Sequence, residues 1–214
     1  MPATQPSKQS SRERQASLIQ AATGLFAKKG FNGTTTREIA KAAGISEALV
    51  FKHFPTKRAL YAAILAEKVT LGELLGSIEE SARKRDDRRI FTLIAGYRIR
   101  PGVDPTLLRL LLFSALEGHE LSDMFFGKHH KVFYDRLAAY IQQRVEDGAF
   151  RQVDPLLAAR GFIGMVVHHR LLHEIFGVPM DRSYEDTVSS YVDLFLHGLV
   201  AVPATGRAKT RRVT

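Results

Sequence analysis

Three histidines, His168, His169 and His173, fall close together, and His169 with His173 has the i, i+4 spacing that lets two imidazoles on one helix face meet a single metal ion. The flanks do not complete such a site. No HExxH glutamate lies between them, Arg170 would repel a cation, and the chain holds no cysteine to supply a thiolate. A polar contact at an interface or pocket is the better reading, and no metal is assigned. His129 and His130, beside Lys128 and Lys131, read as a solvated helix start. A GxSxG elbow, a strand followed by GxGxxG and a Gly-Lys-Ser/Thr phosphate loop are all missing, so neither catalysis nor a cofactor is expected.

The second kind of chemistry open to this chain is phosphate binding. Residues 1–58 carry ten Lys or Arg against three acids, a net +7, whereas residues 59–200 carry 17 basic and 19 acidic side chains, a net −2. Arg207, Lys209, Arg211 and Arg212 add the remaining excess at the other end. A basic head on a nearly neutral body is the charge footprint of a nucleic-acid binder, and ordinary solubilising charge is the alternative. The N-terminus lacks the apolar block of roughly 7–15 residues that marks a secretory signal. No stretch approaches the roughly 18 apolar residues of a membrane span. A soluble, cytoplasmic protein is expected.

Helical spacing runs through nearly the whole sequence, and breaks at Gly, Pro and Asp divide it into about nine helices. The expected fold is all-α. A first helix spans about Ser11 to Lys29, with Leu18, Ala22 and Leu25 on one face, and stops at Gly30. Thr35 and Glu38 have capping-box spacing and start a short helix that Gly44 ends. Ile45 and Ser46 lead into another short helix that closes at Phe54-Pro55, because the residue before proline disfavours the α conformation. Two short helices joined by a glycine turn make a helix-turn-helix, whose second helix fits the major groove; a plain helical hairpin in a bundle is the alternative. On this reading Val50 and Phe54 pack against Leu18, Phe26 and Ile39, leaving Ser46, Glu47, Ala48, Leu49, Phe51, Lys52 and His53 nearer the groove.

The run from Gly30 to Leu60, GFNGTTTREIAKAAGISEALVFKHFPTKRAL, resembles the N-terminal DNA-binding segment of TetR-type (TetR/AcrR) transcriptional regulators. The resemblance covers about residues 12–65; beyond it only the length and the helical body are similar. It implies a two-fold dimer on a near-palindromic operator, usually a repressor released by a small ligand. Carried over by position, it implies that Thr35 and Thr36 meet phosphates, that Ser46, Glu47, Ala48 and Leu49 face the groove, and that Lys52, His53 and Lys57 anchor the DNA backbone. The chain departs from that family's pattern at three positions. Phe51 stands where tyrosine is usual and gives up a hydroxyl contact to phosphate. Ala48-Leu49 replaces a frequent Gly-Thr and favours apolar contact with a thymine methyl. Arg58 replaces a common acid.

The body should start with a helix from Thr56 to about Ala82, followed by helices near 86–99, 104–119, 128–147, 154–176 and 183–201, with a short turn near Leu121 to Phe126. The expected organisation is a tail over 1–10, a DNA-binding domain over 11–55, a ligand-binding and dimerisation domain over 56–202, and a basic tail over 203–214, both tails disordered. Phe91, Tyr97, Phe113, Glu117, His119, Phe126 and Met165 combine aromatic bulk with polar handles and suit a pocket for an apolar or aromatic effector; ordinary core packing is the alternative. Ala159, Phe162, Ile163 and Val166, with Tyr191, Leu194 and Phe195, suit a helical dimer interface, and the alternative is that they close the monomer's core. The expected partners are therefore operator DNA, a second copy of the chain and a small molecule.

Overall fold

The protein is described by a computed structural model covering residues 10–68, 72–118, 123 and 131–200. Among these residues there are ten helices and one isolated β-bridge, Phe150 to Val200. The fold is all-α, as its periodicity predicts. The helices are α1 (Ser11–Lys29), α2 (Thr36–Ala42), α3 (Glu47–His53), α4 (Lys57–Lys68), α5 (Gly72–Arg83), α6 (Asp87–Ile99), α7 (Thr106–Leu116), α8 (Lys131–Glu146), α9 (Pro155–Glu174) and α10 (Tyr184–Leu199). The single helix expected over 56–82 is described as α4 and α5, residues 69–71 lying outside the described residues. The expected tails other than Ser10, together with His119, Phe126 and most of the turn near 121–126, also lie outside them.

The chain forms two compact units. The first takes in the described residues of Met1–Glu73, Gly102–Val132 and Leu171–Val178, and the second those of Leu74–Pro101, Phe133–Arg170 and Pro179–Thr214. In the first unit the local signals act as read. Ser10 and Glu13 form a capping box that starts α1, and the amide of Gly30, at φ 74°, closes that helix onto the Phe26 carbonyl at 2.9 Å. Leu18, Ala22, Phe26, Ile39, Val50, Phe54, Leu60, Tyr61 and Ile64 are packed into one apolar core. That core continues onto α7 through Leu110, with Leu107 and Leu111 beside it, so the head does not end with α4. Phe26 and Phe31 stack at 5.5 Å, Tyr61 meets both edge-on at 5.5 and 5.7 Å, and the Tyr61 hydroxyl donates to the Leu110 carbonyl at 3.1 Å. Burial pushes the Tyr61 phenol up to about 12.

In the second unit Phe91 on α6 packs on Phe162 at 4.9 Å and on Phe195 at 5.0 Å. The Arg144 guanidinium grips Asp87 through two bonds, 2.8 and 3.0 Å, and donates a third to Asp147 at 2.9 Å. The Tyr140 hydroxyl also donates to Asp87. The bonds to Asp87 push the Arg144 guanidinium above its usual range, and a bond from the Gln143 amide at 3.2 Å, with that from Arg144, holds Asp147 below the usual carboxylate range. Because Asp87, at the start of α6, meets Tyr140 and Arg144 late in α8, while Arg98 near the end of α6 lies over Phe133 early in α8, the two helices run antiparallel.

Candidate nucleic-acid interface

The Thr35 side chain caps α2 by accepting from the Glu38 amide at 3.2 Å, and Glu38 reaches back to the Thr35 amide at 2.9 Å. Gly44, at φ 67°, then turns the chain, with the Ile45 amide donating to the Ala40 carbonyl at 3.0 Å. Ser46 caps α3 by accepting from the Leu49 amide at 3.3 Å. Val50 and Phe54 point into the core, so the pitch of α3 leaves Ser46, Ala48, Phe51 and Lys52 exposed and Glu47, Leu49 and His53 half-buried. Phe51 keeps 45% of its surface in solvent, a large apolar ring left partly open on the outer side of α3.

The three acids of this basic segment are all engaged. Glu13 sits in its capping box. Glu38 pairs with Lys29 at 2.6 Å, and that bond, with those from Thr35, holds its carboxyl down to about 2. Glu47, which projects from the first turn of α3, accepts from the Thr36 hydroxyl and lies 3.9 Å from Arg37. Expected at the groove, Glu47 is thus tied to α2. Thr35 and Thr36, expected at phosphates, have their hydroxyls bonded to Glu38 and Glu47.

Lys57 departs from its expected role. Its ammonium turns inward, donating to the carbonyls of Phe31 at 2.8 Å and Thr34 at 2.9 Å, and lies 4.2 Å from the Phe31 ring centroid. Burial pulls its pKa below the usual lysine range, partly offset by Glu117. Glu117, expected as a pocket handle, lies just after α7 and accepts from the amides of Phe31 at 3.2 Å and Asn32 at 3.3 Å. A Cβ on Gly30 would sit 2.2 Å from its Oε1, so this close approach requires glycine. The segment between α1 and α2 is therefore pinned by Glu117, by Lys57 and by the Thr34 hydroxyl on the Gly30 carbonyl at 2.9 Å. Its local composition gives no sign of this, because the partner carboxylate lies 86 residues away.

The other expected site residues are dispersed. Phe91 is a core residue, Phe113 flanks Gly30 in the first unit, and Tyr97 lies under the Arg100 guanidinium in the second. Met165 is half-buried on α9. None of the expected pocket residues that are described lines the apolar cavity of about 260 Å³ in the second unit, whose walls come from α5, α6 and α8. Ala159, Phe162, Ile163 and Val166 are buried within one chain and have no area left to give a partner. This corrects the interface reading for α9: its free face is the adjoining stripe of Leu157, Gly161, Gly164 and His168. On α10 Leu194 is 65% exposed, while Tyr191 and Phe195 are half-buried. The His169 ring meets the Tyr191 hydroxyl at 3.2 Å, and His173 meets the Val178 carbonyl at 3.3 Å. Among the described residues no helix is long and apolar enough to cross a membrane.

Residues 18–64 match the family described as bacterial regulatory proteins, tetR family, and residues 104–198 match the AefR-like transcriptional repressor, C-terminal domain. The chain is 29% identical over 166 residues to the nucleoid occlusion factor SlmA of Marinobacter nauticus, spanning 74% of this chain and 82% of that protein. Its fold is similar to that of AibR, solved in complex with isovaleryl coenzyme A and operator DNA (TM-score 0.64, 22% identity, 85% of this chain and 97% of that one). It is also similar to the TetR family transcriptional regulator PfmR of Thermus thermophilus (TM-score 0.58, 22% identity, 85% and 97%).

Proposed function

The chain belongs to the TetR family of bacterial regulatory proteins, whose members are DNA-binding transcriptional regulators, and from that premise we propose that it represses transcription from a near-palindromic operator. It binds as a homodimer and is released by a small apolar or aromatic effector. The observation that carries the reading is the α2–α3 pair, which buries Val50 and Phe54 in the head core and turns Ser46, Ala48, Phe51 and Lys52 outward on a strongly basic segment. Residues 11–55 supply the DNA-reading helices, within a compact unit whose core extends onto α4 and α7, and the effector-binding part of the body lies in the second unit. Lys52 and His53 hold phosphates, while Ala48, Leu49 and Phe51 touch base edges and sugar.

The dimer forms through the open stripe of α9 and through Leu194 and Gly198 of α10, where small residues allow two helices to approach closely; beyond the local turns of its own helix, nothing described lies within 4 Å of a Cβ built at Gly161, Gly164 or Gly198. Two heads held by such a two-fold meet half-sites about 34–36 Å apart. The apolar cavity of the second unit supports an effector, as does the bound isovaleryl coenzyme A of the similar AibR. An effector acts only if it discriminates between the DNA-competent conformation and another.

Selection of duplexes from a random pool, followed by anisotropy titration of the winner at several salt concentrations, tests this reading. A palindromic winner with a steep salt slope is expected, and Lys52→Ala should lower that slope by about 1. A pool that stays unenriched after repeated rounds overturns it.

A further inference from the structure

Arg98 stands on α6 one turn after Ile94 and two turns after Ile90. Its guanidinium lies 5.6 Å from the centroid of the Phe133 ring, within electrostatic reach of Arg170, Tyr97 and Tyr134. Protein encloses it closely enough that burial pulls its pKa below the usual arginine range, yet part of its surface stays accessible. Among the described residues no carboxylate pairs with it. Arginine does not shed its proton at ordinary pH, so a full positive charge is held out of bulk water beside a second guanidinium. Such a charge calls for an anion.

The space next to it has the opposite character. Ile90, Ile94 and Phe133, together with Leu75, Ile78 and Leu137, line the cavity of about 260 Å³. The antiparallel course of α6 and α8 orders its walls: Ile90 and Ile94 on one side face Tyr140, Leu137 and then Phe133 on the other, and Arg98, one turn beyond Ile94 and outside the lining itself, lies over the Phe133 ring at that end. Hydrocarbon thus runs along the cavity toward a cation. The other charges on the lining, Glu79 and Arg136, answer each other at 2.6 Å.

We propose that the cavity and Arg98 together form a binding site for a small aliphatic carboxylate, its chain lying along Ile90, Ile94 and Phe133 and its carboxylate on the Arg98 guanidinium. The proposal rests on the reading of the body as an effector-binding unit and narrows that effector from any apolar molecule to an anionic amphiphile. From residue 90 to residue 98 the helix rises about 12 Å, roughly the reach of an extended ten-carbon chain, so decanoate is the compound to try.

The test is calorimetric titration of the intact protein, without DNA, with decanoate below its micelle concentration and with decan-1-ol, the uncharged counterpart. The expected result is one decanoate per chain, with decan-1-ol at least tenfold weaker. Arg98→Gln should lower decanoate affinity at least tenfold and leave decan-1-ol unchanged, which also shows that the cavity of the variant is intact. Ile94→Trp, which fills the cavity, should weaken both compounds. Equal binding of acid and alcohol, an Arg98→Gln protein that binds decanoate like the parent, or no decanoate binding at all overturns the assignment. Because DNA is absent, any of these leaves operator binding and release by a neutral effector standing. Conversely, Arg98-dependent decanoate binding beside an operator complex that ignores decanoate would remove the effector role and keep the site.

Discussion

Replacing Glu117 by alanine removes the carboxylate that hydrogen-bonds the end of α7 to the segment between α1 and α2. The carboxylate accepts from the Phe31 amide at 3.2 Å and the Asn32 amide at 3.3 Å, both at the long end of hydrogen-bond range, and faces Lys57. A hydrogen bond to a charged group contributes roughly 1.5–3 kcal/mol, and long, partly exposed ones fall at or below the low end. With Phe31 buried and Asn32 exposed, one bond at about 1.5 kcal/mol and a weaker one at about 0.5 give roughly 2 kcal/mol for Glu117→Ala. Glu117→Gln keeps one acceptor oxygen and should lose about 1 kcal/mol. Since the protein has two compact units, a single melting temperature can mix their transitions. The cleaner assay is amide hydrogen exchange at Phe31 and Asn32, where loss of about 2 kcal/mol raises local exchange about 30-fold. Operator affinity should fall more than affinity for random DNA, because the freed segment leads directly into α2. Glu73→Ala, an exposed change, serves as control. Unchanged exchange at both amides in Glu117→Ala would refute the reasoning, since the carboxylate would then not be what holds them.

Asp87→Ala strands the Arg144 guanidinium, only 11% exposed, with Asp147 as its remaining partner; a loss of about 2–3 kcal/mol is expected, read in urea denaturation, and a change below about 0.5 would contradict it. Leu194→Glu places a charge on the exposed face of α10 and should shift the protein from dimer to monomer in sedimentation while its helical circular dichroism persists. The Glu38 carboxyl is held down to about 2 from 4.5, chiefly by Lys29. A group depressed on folding stabilises above its unfolded pKa, so this contribution is complete above about 4.5 and disappears as pH falls toward about 2. Glu38→Gln should therefore flatten the acid limb of the stability profile in that window, and an unchanged limb would count against the Lys29 pairing.

What the sequence makes legible here is what is local. Ser46, the Thr35–Glu38 box and Gly44 act within a turn of themselves, so their spacing reveals the helix-turn-helix directly. The Val50 and Phe54 packing follows from helical pitch alone. Glu117 and Lys57 could not be read in the same way, because each is a charged residue whose partner is a backbone group far off in the chain, and backbone groups carry no sequence signal. The proposed dimer face is hard to read for a different reason. Apolar residues surround much of α9, so periodicity marks a buried helix without saying which stripe the same chain covers. The larger residues, Phe162, Ile163 and Val166, go to the chain's own core, and the face left open is marked by glycine. Small residues, rather than large ones, were the available clue.

The same bonds that position the head restrict how it can read DNA. Glu47 is the only acid on α3, and its bonds to Thr36 and Arg37 remove it from cytosine amino groups. Ser46 already serves as cap. On the proposed docking that leaves Ala48 and Leu49 as the side chains offered to base edges, with Phe51 against sugar and Lys52 turned to phosphate or to guanine. Methyl groups distinguish thymine by its 5-methyl group and gain nothing from guanine or cytosine edges. Selected operators should accordingly conserve thymine at two or more positions per half-site opposite the first turn of α3. Substituting uracil, which differs only by that methyl, should weaken binding roughly three- to tenfold at each such position, given about 0.8 kcal/mol for a buried methyl plus lost packing. Phe51→Tyr should strengthen binding to specific and random duplexes alike, since a hydroxyl there reaches phosphate and carries no base information. If uracil substitution has no effect anywhere in the half-site, α3 reads through polar contacts, and Glu47 must leave Thr36 when DNA binds.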